Sequence, residues 1–122
     1  MTSEQDASDH EAIVGTALDY YEGWFEGDAE RMERALHPEL AKRGLLTGGG
    51  IDTDTARTMI DATVAGLGRK QDVPDRRIDI RIDLVHGDFA TATITSAVYV
   101  DYVHLVRDEG RWRIVNALWA RA

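Results

Sequence analysis

Acid–base chemistry in this sequence would fall first to Asp101 and to the adjacent Tyr20 and Tyr21. Asp101 lies inside an apolar run, where a buried charge costs free energy unless it is protonated or paired. It could be a hydrogen-bond donor or an acid in a pocket, or an outward-facing strand residue paired with Arg113. The two tyrosines follow each other on a helical pattern, so their side chains point about 100° apart. We expect only one of them to face the pocket, and both could instead be core residues.

His37 and the aromatic residues near these groups are the next candidates. Histidine is the side chain best suited to acid–base chemistry near neutral pH, so His37 is the candidate base, although it could also interact with the carbonyl groups that end the preceding helix. Trp24 shares a helix face with Tyr20, and it could stack on a planar ligand or pack in the core. The residues predicted to be catalytic are Asp101, Tyr20 and His37. The residues predicted to bind a ligand are Trp24, Tyr21, Met59, Tyr99, Asn116 and Trp119.

Strand parity separates the polar residues of the last two strands. His104 is three positions after Asp101, so we expect it on the opposite face of the sheet unless a bulge intervenes. Asn116 has the same parity as Trp112 and Ile114, which puts a polar group in an apolar row. That placement favours a position in the pocket for Asn116.

Composition excludes several kinds of site and partner. The sequence has no cysteine, which excludes disulfides, thiol nucleophiles and thiolate metal sites. A formal net charge of −8 disfavours nucleic acid as a partner. The four histidines have no metal-binding spacing, and no nucleotide motif is present, so we predict neither a metal nor a cofactor. The polar start and the lack of a long apolar run predict no signal peptide and no membrane span, and thus a cytoplasmic protein.

Helical periodicity begins after a polar segment, and the expected order is a tail over residues 1–8 followed by a helix from Asp9 to Glu26. Gly27 suits the end of this helix, and Asp28 can cap a second helix from Ala29 to Leu36. A third helix is predicted over residues 54–67, with Thr53 as a candidate cap. The segment 39–51 is predicted to be irregular, with Gly48, Gly49 and Gly50 in a flexible loop.

From Arg77 onward the apolar residues alternate with polar ones, which indicates strands over residues 77–84, 89–96, 99–107 and 111–121. Helices followed by an antiparallel meander predict one α+β domain over residues 9–122. We expect a cone-shaped fold in which the N-terminal helices pack on a curved antiparallel sheet and enclose a pocket.

Four segments of the chain resemble the nuclear transport factor 2-like superfamily. They are Gly27-Asp28 after an aromatic helix, Leu36-His37-Pro38, Val100 to Leu105 and Gly110 to Asn116. The last two are most similar to the putative lumazine-binding branch, which is related to the SnoaL-like and ketosteroid isomerase-like proteins. The superfamily includes isomerases, dehydratases, epoxide hydrolases and polyketide cyclases, and also binding modules without catalysis. The fold alone therefore does not choose the function.

The resemblance to ketosteroid isomerases extends to two functional positions. Counted back from the Gly-Asp step, their catalytic tyrosine corresponds best to Tyr20, and their protonated aspartate corresponds to Asp101. In those isomerases an apolar site keeps the carboxylic acid neutral, so that it and the tyrosine can both donate hydrogen bonds to a developing enolate oxygen. The general base of those enzymes falls near Gly44, beside Lys42 and Arg43, where no carboxylate is present. Ketosteroid isomerase activity is therefore not assigned.

Three functions remain open at the level of sequence. The first is a cofactor-independent isomerase, dehydratase or cyclase that acts on a small apolar carbonyl or polycyclic compound. The second is a non-catalytic module that binds a small apolar or aromatic molecule. The third is a dimerisation domain, in which the alternating charges from Arg77 to Asp83 form either a solvated face or the rim of a homodimer interface.

Overall fold

The computed structural model describes residues 3–122, which form three α-helices and six β-strands. The helices are α1 (Ser3–Glu26), α2 (Ala29–Ala35) and α3 (Ala56–Val64), and a single 3-10 turn follows at Arg69–Gln71. The strands are β1 (Leu36–Leu45), β2 (Ile51–Asp54), β3 (Asp79–His86), β4 (Phe89–Thr95), β5 (Tyr99–Asp108) and β6 (Arg111–Arg121). No helix in this range is long and apolar enough to cross a membrane.

All six strands belong to one sheet in the order β2-β1-β6-β5-β4-β3. The predicted α+β class is confirmed, but the sheet is mixed, because β1 pairs with β6 in parallel. The connection from β1 to β6 runs through α3 and the meander β3–β5, which brings the first and last strands of the chain side by side. The apolar face of α1 packs on the inner face of this sheet, with fully buried Ile13 and Ala17 against Ile94 and Ile114 in one core.

Helix α1 begins at Ser3, well before the predicted start at Asp9. The predicted tail over residues 1–8 is therefore wrong for residues 3–8, and for residues 1 and 2 it lies outside the described residues. Asp9 is not a cap. It is only 4% exposed and accepts a hydrogen bond of 2.7 Å from Arg107 Nη1, which ties the start of the helix to β5.

The segment 39–51, which was predicted to be irregular, contains most of β1 and the first residue of β2. Strand β1 starts directly after α2, and its side chains alternate between the interior and solvent, with Leu40, Lys42 and Gly44 pointing inward. Sequence periodicity missed the strand because two of those three inward residues, a lysine and a glycine, do not count as apolar. Pairing with β6 on one side and β2 on the other supplies the order that local propensity does not.

The helix caps agree with the sequence at α2 and differ at α3. The Asp28 side chain accepts a hydrogen bond from the backbone N–H of Arg31, as expected for an N-cap. Helix α3 is shorter than predicted and is capped by Thr55, not Thr53. Thr55 and Thr58 exchange side-chain and backbone hydrogen bonds in a capping box.

Two bulges change the strand parity that the sequence suggested. In the β5–β6 ladder His104 pairs with Asn116 and Leu105 with Ile114, so Val115 is an extra residue in β6. A similar shift in the β3–β4 ladder leaves Leu84 63% exposed. A bulge inverts the sides of all residues beyond it. Only the three-dimensional pairing therefore decides which half of β6 faces the interior.

Candidate functional site

A cavity of about 460 Å³ lies between α1, α3 and the inner face of β1, β5 and β6. Tyr20, Tyr21 and Trp24 reach it from α1, and Tyr99 and Trp119 reach it from the sheet. This volume is within the usual range of small-molecule sites. The wall combines aromatic rings with buried ionisable groups, so it can hold a flat apolar compound and act on a polar atom of it.

Asp101 is the most constrained polar group of the cavity wall. It is 3% exposed, and its Oδ2 accepts hydrogen bonds from the hydroxyl groups of Tyr21 at 3.0 Å and Tyr20 at 3.3 Å. Its Oδ1 is buried and has no hydrogen-bond partner among residues 3–122. One carboxyl oxygen is therefore held in place, and the other has an unused acceptor position.

Lys42 is the second buried ionisable group, and it enters the cavity from β1. Its side chain points inward, and the residue is only 8% exposed. Its Nζ donates a 2.5 Å hydrogen bond to the Tyr20 hydroxyl. The same nitrogen is 4.8 Å from the centroid of the Tyr20 ring and 5.6 Å from that of Trp119. Lys42, Tyr20 and Asp101 thus form one chain of hydrogen bonds, which we call the buried relay.

Burial pushes both charged ends of the buried relay toward their neutral forms. The pKa of the Asp101 carboxyl is raised by desolvation, against the opposing effects of Lys42 and the two tyrosine hydroxyls. The pKa of the Lys42 amine is lowered by desolvation, against the opposing charges of Asp101, Asp54 and Asp52. The pKa of the Tyr20 hydroxyl is raised by burial and by the neighbouring Asp101, so this hydroxyl keeps its proton.

Asp101 and Lys42 each act on the pKa of the other, so they titrate as a coupled pair, and the net-neutral state of that pair holds one dissociable proton. With the proton on Lys42 the pair is an ammonium and a carboxylate. With the proton on Asp101 it is an amine and a carboxylic acid. In either arrangement the pair supplies one acid and one base to the same cavity.

The aromatic wall is held together by edge contacts and one hydrogen bond. Trp24 Nε1 donates to the Tyr99 hydroxyl at 3.0 Å, and the Tyr99 and Trp119 rings meet edge to face at 5.6 Å. The Trp119 indole lies directly on Gly44, where an added Cβ would overlap the ring. The glycine at this position of β1 therefore leaves the space that the indole occupies.

The model of a family described as "Putative lumazine-binding" matches residues 8–120. The chain belongs to this putative lumazine-binding family. No curated protein matches this sequence. Within residues 3–122 of this family member, no group of three or more His, Asp or Glu side chains is placed to hold a metal ion.

Solved structures share the fold at low sequence identity. A nuclear transport factor 2-like protein of unknown function from Shewanella baltica is 22% identical, with a TM-score of 0.75 over 100% of this chain and 98% of that one. A nuclear transport factor 2-like protein with a cystatin-like fold from Novosphingobium aromaticivorans is 20% identical, with a TM-score of 0.73 over 96% and 84%. A ketosteroid isomerase-like protein from Erwinia carotovora is 12% identical, with a TM-score of 0.66 over 91% and 94%. The chain therefore has the nuclear transport factor 2-like fold.

Seven of the nine predicted site residues of this lumazine-binding family member line the cavity: Asp101, Tyr20, Tyr21, Trp24, Met59, Tyr99 and Trp119. The expectation that only one of the two tyrosines faces the pocket is wrong. Both hydroxyl groups converge on the same carboxylate oxygen, because the rings of Tyr20 and Tyr21 lean together edge to face at 5.4 Å. The roles of these residues stay predictions.

His37 lies outside the cavity. Its Nε2 is 2.8 Å from Asp108 Oδ2, and its Nδ1 accepts a hydrogen bond from the backbone N–H of Glu39. The start of β1 places it beside the turn between β5 and β6, among residues that do not reach the cavity. His37 therefore cannot serve as the base for a molecule bound there.

Asn116 also lies outside the cavity, on the exposed outer face of the sheet. Its amide is 3.2 Å from His104 Nδ1 on the neighbouring strand. Because Val115 is an extra residue in β6, Asn116 lies on the opposite side of the sheet from Trp112 and Ile114, which point inward. The prediction that His104 faces away from Asp101 is confirmed, since His104 is exposed.

Several charged residues of the cavity were missed by the sequence analysis: Lys42, Asp52, Asp54, Lys70 and Arg121. All but Lys70 lie on β1, β2 and the end of β6, and most of β1 falls in the segment 39–51 that was predicted to be irregular. A signal for Lys42 is nevertheless present in the sequence. The position of the isomerase base falls near Gly44, and the lysine two residues earlier shares its side of a strand.

Proposed function

We propose that this protein is a cofactor-independent enzyme that moves protons on an apolar or aromatic carbonyl compound. Isomerisation, dehydration and cyclisation all belong to this class of reaction. The observation that carries the proposal is the buried relay, with its unpartnered Asp101 Oδ1 in the wall of an aromatic cavity. Buried acid–base groups with shifted pKa values are typical of catalytic sites.

The geometry supports a division of labour within the buried relay. The two tyrosine hydroxyls fix Asp101 Oδ2, and Oδ1 is the carboxyl oxygen without a partner that we propose exchanges a proton with a bound molecule. Lys42 lies at the other end of the same hydrogen-bond chain and can take or give the compensating proton. Lys42 thus replaces His37 as the partner of Asp101 in the proposed chemistry.

The cavity wall favours a flat substrate of modest size. Trp24, Tyr99 and Trp119 supply aromatic surface, which binds planar rings through burial and edge or stacking contacts. A carbonyl oxygen is the polar group that suits the site, because an acid can donate to it while a nearby base removes a proton from the adjacent carbon.

The test is hydrogen exchange at the carbon beside a carbonyl group. 2-Tetralone, a flat ketone, is incubated in D₂O with the protein, and deuterium uptake is followed by NMR. We expect exchange above the buffer rate, and we expect Asp101→Asn to lower the protein-dependent rate about 100-fold or more. Asp79→Asn, an exposed aspartate on β3, is the matched control and should leave the rate unchanged. An Asp101→Asn variant that folds and keeps the full rate rejects the proposed role of Asp101.

A non-catalytic binding module is the second candidate. It is favoured by the fact that both tyrosine hydroxyls already donate to Asp101 Oδ2, which satisfies them without a substrate. This candidate predicts that an aromatic ketone quenches the tryptophan fluorescence of the protein and is recovered without deuterium. Exchange that depends on Asp101 rejects it.

A further inference from the structure

The lysines of this chain are unusually few and share one location. The sequence contains only two, Lys42 and Lys70, among its 14 basic residues, and both line the same cavity. They differ in exposure, since Lys42 is buried while Lys70 is exposed. The pair therefore offers an internal comparison between a buried amine and an accessible one at a single site.

The surroundings of the Lys42 amine suit a nucleophile. Tyr20 on α1 accepts its hydrogen bond, and the rings of Tyr20 and Trp119 flank it. Asp101 on β5 and Asp52 and Asp54 on β2 are the charged groups that act on it. Lysines in desolvated pockets are the ones that form covalent imines with carbonyl compounds.

We propose that Lys42 Nζ condenses with the carbonyl carbon of an aldehyde or ketone bound in the cavity to form an imine. This inference rests on the proposed function for its ligand class, a flat apolar carbonyl compound. It adds a covalent step to a site for which the proposed function needs only proton transfer.

The atoms of the step balance without any further reagent. The lone pair of the neutral amine forms a C–N bond, and the C=O π electrons become a lone pair on oxygen. Transfer of one amine proton to that oxygen gives a neutral carbinolamine. A proton from Asp101 Oδ1 then lets the hydroxyl leave as water, and the resulting iminium ion is balanced by the Asp101 carboxylate. Addition of water to the iminium carbon reverses the step and returns the carbonyl compound and the amine.

Burial favours this reaction at neutral pH because it lowers the pKa of the Lys42 amine. An exposed lysine with a pKa of about 10.4 is neutral in roughly one molecule in 2,500 at pH 7. Each unit by which the pKa is lowered raises that fraction about tenfold. We therefore expect Lys42 to react faster than Lys70, although Lys70 is more accessible.

The experiment traps the imine by reduction. The wild-type protein is incubated at pH 7 with 2-naphthaldehyde and sodium cyanoborohydride, which reduces the iminium ion to a stable secondary amine. Peptide mapping by mass spectrometry then compares labelling at Lys42, Lys70 and the N-terminal amine in the same sample. Labelling of Lys42 that exceeds labelling of Lys70 by about tenfold or more supports the proposal. Labelling confined to Lys70 or the N terminus, equal labelling at all amines, or no labelling overturns it.

Two variants check the assignment. Lys42→Arg should lose the fast label, because a guanidinium does not form the imine under these conditions, while Lys70→Arg should retain it at Lys42. If Lys42→Arg does not fold, the comparison within the wild-type protein still decides the question.

The outcome is also separable from that of the proposed function. Exchange of 2-tetralone protons without a Lys42 label rejects the imine and leaves proton transfer standing. A Lys42 label without any exchange leaves the imine standing and rejects the proposed enzyme class.

Discussion

Replacing one end of the buried relay at a time should give two variants whose stabilities depend on pH in opposite directions. Lys42→Met leaves Asp101 buried without its cation, so the already raised pKa of the carboxyl rises further. Asp101→Asn leaves Lys42 buried without its anion, so the already lowered pKa of the amine falls further. Each remaining group then stays neutral in the folded protein over a pH range in which it is charged in the unfolded chain.

The sign of each effect follows from the number of protons bound in the two states. In Lys42→Met the folded protein holds a proton on Asp101 above about pH 3.9, where the unfolded chain has lost it, so the free energy of unfolding falls as pH rises. In Asp101→Asn the folded protein lacks a proton on Lys42 below about pH 10.4, where the unfolded chain keeps it, so the free energy of unfolding falls as pH drops.

The magnitude is set by one proton. A full proton changes the free energy of unfolding by about 1.4 kcal/mol per pH unit. Neutralising either group at pH 7 therefore costs at most about 4 to 5 kcal/mol, from the distance between pH 7 and the ordinary pKa values. The double variant Lys42→Met with Asp101→Asn removes both costs, so we expect it to be more stable than the sum of the single variants implies, by about 2 kcal/mol or more.

The assay is urea unfolding followed by tryptophan fluorescence between pH 5 and pH 9, with each variant compared with the wild type at the same pH. The difference curve should fall with pH for Lys42→Met, rise with pH for Asp101→Asn, and be flat for the double variant. Parallel difference curves for the two single variants, or additive losses in the double variant, would refute a shared proton between Asp101 and Lys42.

Three further predictions test the surroundings of the site. Gly44→Ala should lower the free energy of unfolding in urea by about 1 to 3 kcal/mol, because the added methyl group overlaps the Trp119 indole. The control Gly15→Ala, at a helix position with open space around it, should not lower this free energy. Equal stability of the two variants contradicts this packing. Asp9→Asn should lower the free energy of unfolding by about 1 to 3 kcal/mol, because it weakens a partly buried charge-assisted hydrogen bond, and an unchanged thermal midpoint contradicts this role. We expect two chains to pair through the sheet face that exposes Tyr102. Light scattering should therefore give twice the mass of one chain for the wild type and the mass of one chain for Tyr102→Glu. A monomeric wild type refutes this dimer.

The fold is largely predictable because its helices and its meander have clear periods. Alternation along β3, β4 and β5 and the broad apolar stripe of α1 predict these elements within a few residues of their observed bounds at most ends. Strand β1 escapes prediction, because its inward positions include Lys42 and Gly44, which no apolar pattern identifies. The parallel pairing of β1 with β6 is a long-range contact, and local patterns carry no information about it.

The residues of the candidate site also divide into those with a clear signal in the sequence and those without one. Asp101 could be predicted because it is a lone carboxylate in an otherwise apolar strand. Tyr20 could be predicted because its position matches the catalytic tyrosine of the ketosteroid isomerases that the chain resembles. Asn116 is misplaced because a single extra residue in β6 reverses the parity on which its prediction rests. In the sequence, Lys42 is notable only because it lies near the position where the isomerases have a carboxylate. The structure places it in the cavity wall.

The presence of Lys42 changes what the departure from the ketosteroid isomerase pattern means. A missing carboxylate near Gly44 would remove the base if the rest of the site stayed as in those enzymes. Here a buried amine reaches the cavity from the same strand, and a buried carboxyl with a raised pKa lies at the other end of its hydrogen-bond chain. Either group destabilises the fold when the other is missing, because each alone is an uncompensated buried charge or a forced neutral form. The two residues therefore form one electrostatic unit, and a relative that keeps Asp101 but lacks the lysine would be expected to need another partner for it in the same cavity.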